Sequence, residues 1–157
     1  MPPTRPTKVL VETRQLFGYA KAFEAAMGHP FRCPDAFYIS AVNESGQFLG
    51  GVAYSNFTAF DCCVDIASTS PYFLTRDTLR AFFSYPFLQL GLKRITGIVR
   101  EDNARAMSLD LRLGFTPEGS LRNYFGDRSG IIMGMLREEC RWITLPKDIT
   151  NGQAENA

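Results

Sequence analysis

The sequence has 157 residues, of which 45% are hydrophobic and 21% are charged, and its formal net charge is +1. These values predict one soluble globular domain, which we expect over residues 1–145, followed by a flexible tail over residues 146–157. The balanced charge argues against nucleic acid or an anionic membrane as a partner. No apolar run approaches the ~20 residues of a membrane span, and the polar start has no apolar signal segment, so we expect a cytoplasmic protein.

Alternating patterns predict a strand, a helix and an antiparallel meander in the first half. Strands are predicted over residues 8–13, 37–42, 47–55 and 58–68. After the first strand, helical spacing of apolar residues predicts a helix that ends at Gly28, with a stripe of Leu16, Tyr19, Ala20 and Phe23. Gly46 favours a tight turn between the second and third strands.

The second half changes to helices that alternate with strands. A helix is predicted over residues 75–90, with a kink or an early end at Pro86, and a strand over residues 94–101. Because this helix joins strand 58–68 to strand 94–101, we expect those strands to be parallel neighbours or near neighbours with a right-handed connection. The last ordered segments, residues 120–125 and 130–142, are predicted to form a hairpin. The whole pattern predicts a mixed α/β sheet.

A helix with clear ends follows strand 94–101. Asn103 is predicted to cap it, and Gly114 to end it in a left-handed conformation, before Phe115 enters the core. The predicted buried face comprises Ala104, Met107 and Leu111.

The segment "NARAMSLDLRLGFTPEGSLR" resembles a motif of the GCN5-related N-acetyltransferase (GNAT) superfamily, with the pattern N-x(10)-GF-x(2)-EG-x(2)-R. The matching residues are Asn103, Gly114, Phe115, Glu118, Gly119 and Arg122. The pattern is most similar to the branch of ribosomal-protein alanine and polyamine acetyltransferases, and the ending "GMLREECRW" resembles phage-encoded members. The resemblance covers Lys8 to Trp142. It implies a mixed central sheet with a splayed parallel strand pair, acetyl-CoA as co-substrate and an amine-bearing acceptor.

One segment departs from the family pattern. The family carries a glycine-rich loop that binds the CoA pyrophosphate, but the matching segment "STSPYFLTRDTLR" contains no glycine between Ala67 and Leu79. A helix N-terminus offers free N–H groups and a positive dipole end without glycine. We therefore expect the pyrophosphate to bind at the loop from Ser70 to Arg76 and at the helix N-terminus, where the N–H groups of Thr75 to Thr78 are predicted to be free. The binding residues we assign there are Thr75, Arg76 and Asp77.

The resemblance also places the pantetheine arm between strands 58–68 and 94–101. Backbone groups of Ile66, Ala67 and Ser68 would then bind the arm, and an N–H near Ile66 would stabilise the oxyanion. Asn103 either caps its helix alone or binds the arm as well.

Candidate catalytic groups lie on strand 58–68, where Asp61 and Asp65 are predicted to share one face. Two neighbouring carboxylates would attract an ammonium group and raise one pKa, which suits a base, and we take Asp65 and Asp61 as the catalytic candidates. The alternative for both is a solvated strand face. For Glu118 a structural hydrogen bond competes with catalysis.

No general acid is assigned. At the place of the family's acidic tyrosine the chain has Asp110, and a carboxylate is a poor acid at pH 7 unless its pKa is raised. Tyr124 and Ser108 are weaker candidates. His29 lies either in a surface turn or on the acceptor side of the site.

The sequence predicts an N-acetyltransferase that moves an acetyl group from acetyl-CoA to a primary amine of a small molecule or protein. The alternative is a GNAT-fold binding or structural protein without turnover. We expect no metal, because the cysteines form no CxxC pair and His29 is the only histidine; the cysteines are Cys33, Cys62, Cys63 and Cys140. The acceptor and the oligomeric state stay open, with a homodimer as one alternative.

Overall fold

The fold is built on one mixed seven-stranded sheet. The computed structural model describes residues 8–29, 31 and 33–146, so the predicted tail lies outside the described residues from residue 147 onward. The strands are β1 Leu10–Glu12, β2 Phe37–Val42, β3 Phe48–Ser55, β4 Cys63–Ser68, β5 Arg94–Arg100, β6 Thr116–Leu121 and β7 Gly130–Leu136. Their order is β1-β2-β3-β4-β5-β7-β6, and β4 and β5 are the parallel pair. The predicted mixed sheet is confirmed.

Helices cover both faces of this sheet. They are α1 Phe17–Met27, α2 Arg76–Ser84 and α3 Ala104–Leu113, with a π-helical turn at Tyr85–Gln89 and a 3-10 turn at Arg137–Glu139. Phe23 of α1 packs on Ala53 and Ala67 on one face of the sheet. The larger core lies on the other face, where α2 and α3 pack. Within the described residues, none of the helices is both long enough and apolar enough to cross a membrane.

Local signals place the ends of the first elements. Gly28 ends α1 at φ 79°, as its position predicts. In the turn between β2 and β3, Gly46 has φ 79°, and the side chain of Asn43 accepts the N–H groups of Ser45 and Gln47. Of the stripe predicted for α1, only Phe23 is fully buried, and Leu16 is exposed because it precedes the first turn.

The prediction of a strand over residues 58–68 is wrong for residues 58–62. The hydroxyl of Thr58 accepts the N–H groups of Phe60 and Asp61, and the N–H of Thr58 donates to the carbonyl of Asp61. These bonds make a turn, because a threonine side chain that bonds nearby backbone competes with the strand ladder. β4 therefore begins at Cys63, and Asp61 lies before the strand instead of on it.

Pro86 ends α2, as predicted. A proline has no N–H to donate to the carbonyl four residues earlier, which here belongs to Phe82. The buried hydroxyl of Tyr54 donates to this carbonyl at 2.5 Å. The chain continues past Ser84 as a π-helical turn, in which the ring of Tyr85 stacks on Phe37 with 4.3 Å between centroids.

The third helix has its predicted ends but a different buried face. Asn103 accepts the N–H of Ala106 at 3.1 Å, and Gly114 has φ 111°. Of the predicted buried face, Met107 is confirmed, and Ala104 and Leu111 are wrong because they are exposed. The other residues of α3 that contact the core are Ala106, Leu109 and Leu113. The prediction for the first strand of the final hairpin is also wrong, because β6 occupies residues 116–121 and not 120–125.

Removing the hydroxyl of Tyr54 is expected to destabilise the fold. Tyr54→Phe keeps the ring and leaves the Phe82 carbonyl without this donor, which costs about 1–3 kcal/mol in the free energy of unfolding. Urea denaturation measures this value. Tyr85→Phe is the control. It also removes a tyrosine hydroxyl, but none of the described residues hydrogen-bonds to that hydroxyl. Equal effects of the two substitutions would contradict the assigned role of the Tyr54 hydroxyl.

Candidate active site

A gap between the parallel strands forms the centre of the candidate site. β4 and β5 pair at one position, Cys63 with Thr96, where the N–H of Thr96 donates to the carbonyl of Cys62 at 3.0 Å. From there to the ends of both strands no further pair is formed, so the strands separate toward Ser68 and Arg100. The predicted splay is confirmed. An apolar pocket lies beside the gap under α2 and α3, and its lining includes Val64, Ile66, Leu79, Ile95, Leu113 and Phe115.

Backbone groups on one side of the gap are left for a ligand. The carbonyl of Cys62 points toward β5, and the direction of backbone groups alternates along a strand. The N–H and C=O of Ile66 and Ser68 therefore face the gap, as the sequence predicts. The same alternation turns those of Ala67 toward Gly51, its partner in β3.

Two helix N-termini lie at the open end of the gap, because α2 and α3 each follow the C-terminal end of a parallel strand. At α2 a capping box is formed: the Thr75 hydroxyl accepts the N–H of Thr78 at 3.2 Å, and the Thr78 hydroxyl accepts the N–H of Thr75 at 2.7 Å. Two of the predicted donor groups are thus already used. Within the described chain, the N–H groups of Arg76 and Asp77 have no hydrogen-bond acceptor.

The start of the loop before α2 is held on β3. The N–H groups of Thr69 and Ser70 both donate to the carbonyl of Leu49, at 2.9 and 3.1 Å. The ring of Phe73 lies on Gly50, where a Cβ atom would overlap it. Within the described chain the N–H groups of Phe73 and Leu74 have no hydrogen-bond acceptor, so the end of this loop adds two donors to those of the helix N-terminus.

The third helix offers a second set of donors. The side-chain oxygen of Asn103 is used in capping, and in the described chain its Nδ2 group has no hydrogen-bond acceptor. Arg105 lies exposed in the first turn of α3, as Arg76 lies in the first turn of α2. An arginine beside each N-terminus adds positive charge to that of the helix dipoles.

Asp65 lies on the other face of the sheet, the one that α1 covers. Burial raises the pKa of its carboxyl group to about 6, and the nearby His29 opposes this rise. The sequence predicts a raised pKa for the Asp65 carboxyl group through pairing with Asp61. The structure assigns the cause to burial, because Asp61 is not among the groups that perturb Asp65. A carboxylate with this pKa is ionised at neutral pH and basic enough to accept a proton.

Asp61 is tied into a polar network at the closed end of the gap. Its carboxylate accepts the hydroxyl of Thr96 at 3.0 Å and lies 3.8 Å from the guanidinium of Arg94. Arg94 also pairs with Glu118 at 2.6 Å, and the Glu118 carboxylate lies on Gly134. The structural hydrogen bond expected as the alternative for Glu118 is therefore present, with Arg94 as its partner. For Asp61 the catalytic assignment stays a prediction, beside a role in holding the two strands together.

Asp110 is the residue to which the sequence did not assign the role of general acid. It lies on the sheet-facing side of α3, one turn from Ala106, Met107 and Leu113. Burial raises the pKa of its carboxyl group to about 7, and none of the described residues hydrogen-bonds to its side chain. Helical spacing predicts this orientation once Ala106 and Leu113 are chosen as the buried face in place of Ala104 and Leu111.

Asp110 is level with the point where the strands separate. It lies six residues into α3, which is about 9 Å from the open end. Three residues of β5 cover a similar length, about 10 Å, and lead from Arg100 back to Gly97. A Cβ atom at Gly97 would lie 3.5 Å from the carbonyl of Val64, so the strands are still close there. Asp65 and Asp110 therefore lie on opposite faces of the sheet, and these two lengths bring Asp110 to about the height of Gly97.

The remaining candidates are less well placed. His29 is exposed and lies near Asp65. Tyr124 lies on the β6–β7 turn, 53% exposed, on the same face as Asp65. Ser108 is exposed on α3, and Arg122 is exposed directly after β6.

Solved structures with similar folds are acetyltransferases. The ribosomal-protein-S5-alanine acetyltransferase from Vibrio fischeri superposes with a TM-score of 0.57 at 22% identity, over 69% of this chain and 64% of that enzyme, which is just under two thirds of its length. The spermidine/spermine N-acetyltransferase SpeG from Vibrio cholerae, in its complex with manganese ions, gives 0.64 at 15% identity, over 84% and 94%. A point mutant of SpeG gives 0.58 at 19%, over 72% and 70%. No family model and no curated protein matches the sequence. The chain thus has the GNAT fold.

The raised pKa of Asp110 predicts a pH dependence of stability. Its ordinary value is 3.8, so between about pH 4 and 7 the folded protein holds a proton that the unfolded chain releases. The free energy of unfolding then falls by about 1.4 kcal/mol per pH unit as the pH rises through this window. Asp110→Asn removes this slope, and at pH 8 the variant should be more stable than the parent by about 2 kcal/mol or more.

Denaturant titrations at pH 4, 6 and 8 measure this difference. Parent and variant should have nearly equal stability at pH 4, and the slope that remains up to about pH 6 belongs to Asp65. Asp35→Asn, in an exposed turn, is the control. Parallel pH profiles of the parent and Asp110→Asn would show that Asp110 is ionised throughout the range.

Proposed function

We propose that this protein is an acyl-CoA-dependent N-acetyltransferase that transfers an acetyl group to a primary amine. The observation that carries the proposal is the one-ended gap between β4 and β5, which opens toward the N-termini of α2 and α3. An extended ligand with amide groups fits such a gap as an added strand. Phosphates fit the positive ends of two helices. Acetyl-CoA combines both features in one molecule.

Binding of acetyl-CoA is proposed to use three sets of groups. The backbone of Ile66 and Ser68 faces the gap and can pair with the pantetheine arm. The N–H groups of Arg76 and Asp77, the hydroxyl of Thr75 and the guanidinium of Arg76 lie where the pyrophosphate would be. Asn103 supports binding through its Nδ2 group. Ala67 remains a weaker candidate, because its backbone pairs with β3.

The chemistry is proposed to use one carboxylate on each face of the gap. When bound, acetyl-CoA supplies the acetyl group as a thioester. Asp65 accepts a proton from the attacking amine, and the N–H of Ile66 stabilises the negative charge that develops on the carbonyl oxygen. Asp110, with a pKa of about 7, donates a proton to the leaving thiolate. Asp61 adds negative charge at the closed end of the gap.

The alternative, a GNAT-fold protein that binds without turnover, has one observation in its favour. The loop before α2 uses the N–H groups of Thr69, Ser70 and Tyr72 internally, and the capping box uses two more at the start of the helix. Binding of acetyl-CoA without transfer to any amine in a broad panel would support this alternative. The acceptor amine, whether on a small molecule or a protein, and a homodimeric state stay open.

Reversing the charge at Arg76 is expected to weaken acetyl-CoA binding. Arg76→Glu replaces a cation beside the phosphates with an anion, and the loss of a charged hydrogen bond, about 1.5–3 kcal/mol, predicts a roughly 10- to 100-fold higher Kd. Isothermal titration calorimetry measures it. Lys93→Glu makes the same charge change at the opposite end of β5 and should leave Kd unchanged. An unaltered Kd for Arg76→Glu would remove the α2 N-terminus from the site.

Replacing Asp65 is expected to slow transfer without affecting the cofactor. Asp65→Asn should lower kcat/KM by roughly 100-fold or more, the size of a general-base contribution, while the Kd of acetyl-CoA stays the same. In the parent, activity should rise with pH through about 6, as the carboxyl group ionises, and this rise should be absent in the variant. Steady-state kinetics from about pH 5 to 8 test both points.

Two further variants make this experiment specific. Asp61→Asn should cost less, since Thr96 and Arg94 already engage that carboxylate. Equal losses for both aspartates would indicate that they act as a pair. Normal transfer by Asp65→Asn would remove Asp65 from the proposed chemistry.

A further inference from the structure

The last turn of α3 is closed partly by residues from a distant part of the chain. The last four carbonyl groups of an α-helix have no partner within the helix. In α3 the carbonyls of Asp110 and Leu111 both accept the N–H of Gly114, at 3.1 and 3.2 Å. The other two carbonyls belong to Arg112 and Leu113.

Two side chains that follow β7 donate to these two carbonyls. The indole N–H of Trp142 donates to the carbonyl of Leu113 at 2.8 Å, and the guanidinium of Arg141 donates to the carbonyl of Arg112. The Arg141 guanidinium also lies over the Trp142 ring, 4.5 Å from its centroid. An arginine at this end of a helix interacts favourably with the negative end of the helix dipole. We call residues 140–143 the clamp.

The clamp is anchored in the core as well as on α3. Cys140 is buried, which raises the pKa of its thiol to about 11, and the N–H groups of Trp142 and Ile143 lie close enough to the sulfur to oppose this rise. The ring of Trp142 stacks on Phe83, near the end of α2, with 6.5 Å between centroids. The clamp thus joins the C-terminal ends of α2 and α3.

Asp110 is the residue whose environment depends on this last turn. It is the first residue of the turn, and its own carbonyl accepts the N–H groups of Gly114 and Phe115. On a helix, its side chain is next to those of Ala106, four residues earlier, and Leu113, three residues later, which both pack on the core. If the last turn opened, water would reach the Asp110 carboxyl group. The clamp holds that turn closed at Leu113.

Exclusion of water decides the protonation state of this carboxyl group. Burial is the cause of its raised pKa, and no titratable side chain contributes. On α3 itself Arg105 and Arg112 are exposed, and Arg141 lies at the helix end. The titratable side chains of the core cluster on this face are Tyr54, Cys62, Tyr85 and Cys140.

We propose that Arg141 and Trp142 are positioning residues, which hold the Asp110 carboxyl group against the sheet by closing the last turn of α3. They act through the carbonyls of Arg112 and Leu113. The effect on catalysis rests on the proposed role of Asp110 as proton donor, whereas the effect on the carboxyl group itself can be measured without turnover. The ending "GMLREECRW" thereby gains a role for its last two residues, which the sequence alone did not assign.

Removing the indole N–H tests the proposal directly. Trp142→Phe keeps an aromatic ring beside Phe83 and leaves the Leu113 carbonyl without its donor. The full chain, labelled with 13C at its aspartate carboxyl groups, is titrated by NMR from about pH 4 to 9, and Asp110→Asn identifies the Asp110 signal. This signal should titrate near pH 7 in the parent, and its acid dissociation constant should be about 10-fold larger or more in Trp142→Phe.

An unchanged Asp110 titration in Trp142→Phe would overturn the proposal. A parent carboxyl group that titrates near its ordinary value of 3.8 would overturn it as well, because the last turn would then not exclude water.

Further variants separate positioning from a merely structural role. Ile143→Ala removes packing of the clamp on the core but keeps both bonds to α3, so it should lower Tm and leave the Asp110 titration unchanged. Equal shifts of this titration in Ile143→Ala and Trp142→Phe would overturn the role of the indole N–H.

Arg141 offers an independent test at an exposed position, which also serves if Trp142→Phe does not fold. Arg141→Met removes the donor to the Arg112 carbonyl and should shift the Asp110 titration in the same direction as Trp142→Phe. Arg141→Lys keeps a cationic donor and should restore the parent value. An equal shift in both Arg141 variants would remove this cation from the proposed role.

Kinetics distinguish this proposal from the function on which it rests. With the best acceptor of a broad amine panel, Trp142→Phe should lower kcat by roughly 10-fold, a part of the 100-fold or more that a general acid contributes, and leave the Kd of acetyl-CoA unchanged. A shifted Asp110 titration in a protein that transfers acetyl groups to no amine would leave the positioning role standing and remove the enzyme. Transfer with the same kcat and the same Asp110 titration in parent and Trp142→Phe would leave the enzyme standing and remove the positioning role.

Discussion

The architecture depends on the single position at which the parallel strands β4 and β5 are paired. At that position the N–H of Thr96 donates to the Cys62 carbonyl, and the Thr96 hydroxyl donates to Asp61. One residue of β5 thus joins the strands through both its backbone and its side chain. Beyond it the strands separate, and backbone groups that a continuous sheet would pair face an opening. Unpaired backbone groups are costly unless water or a ligand satisfies them, so the open end is the natural place for a ligand.

The opening also connects two faces that have different chemistry. The α1 face carries Asp65, and the α2–α3 face carries Asp110 among apolar side chains. In the proposed reaction an amine would lose its proton to Asp65 on the first face, and the leaving sulfur would gain one from Asp110 on the second. Two carboxyl groups whose pKa values are both raised by burial, but to different extents, suit these opposite tasks. The sheet itself keeps the groups apart.

Sequence reasoning succeeded where a residue acts on its neighbours in the chain. Gly28, Gly46, Gly114 and the cap at Asn103 each solve a local backbone requirement, and the order of strands and helices follows from periodicity. It failed where the outcome depends on distant contacts. Pro86 signals the end of α2, but nothing local says that Tyr54 supplies the donor to Phe82, 28 residues away. The pairing of Arg94 with Glu118 spans 24 residues and cannot be read from either segment alone.

Within the candidate site, the sequence did not determine side-chain orientation. A helix turns by about 100° per residue, so a one-residue shift of the buried face exchanges Leu111 for Asp110. For β4, a strand assigned from residue 58 placed Asp61 beside Asp65, whereas the turn at Thr58 moves Asp61 to the closed end of the gap.

The missing glycine loop changes how this fold would hold a phosphate. A cradle of N–H groups recognises shape, since several donors converge on one anion. Here Phe73 lies on Gly50, and Thr75 and Thr78 satisfy each other, so two N–H groups and a guanidinium remain at the start of α2. Recognition then depends more on charge than on geometry, and salt screens an exposed arginine far more than a buried donor. If acetyl-CoA binds as proposed, the backbone of Ile66 and Ser68 would contribute the larger share of specificity for it, because the gap is the part of the site with a defined shape.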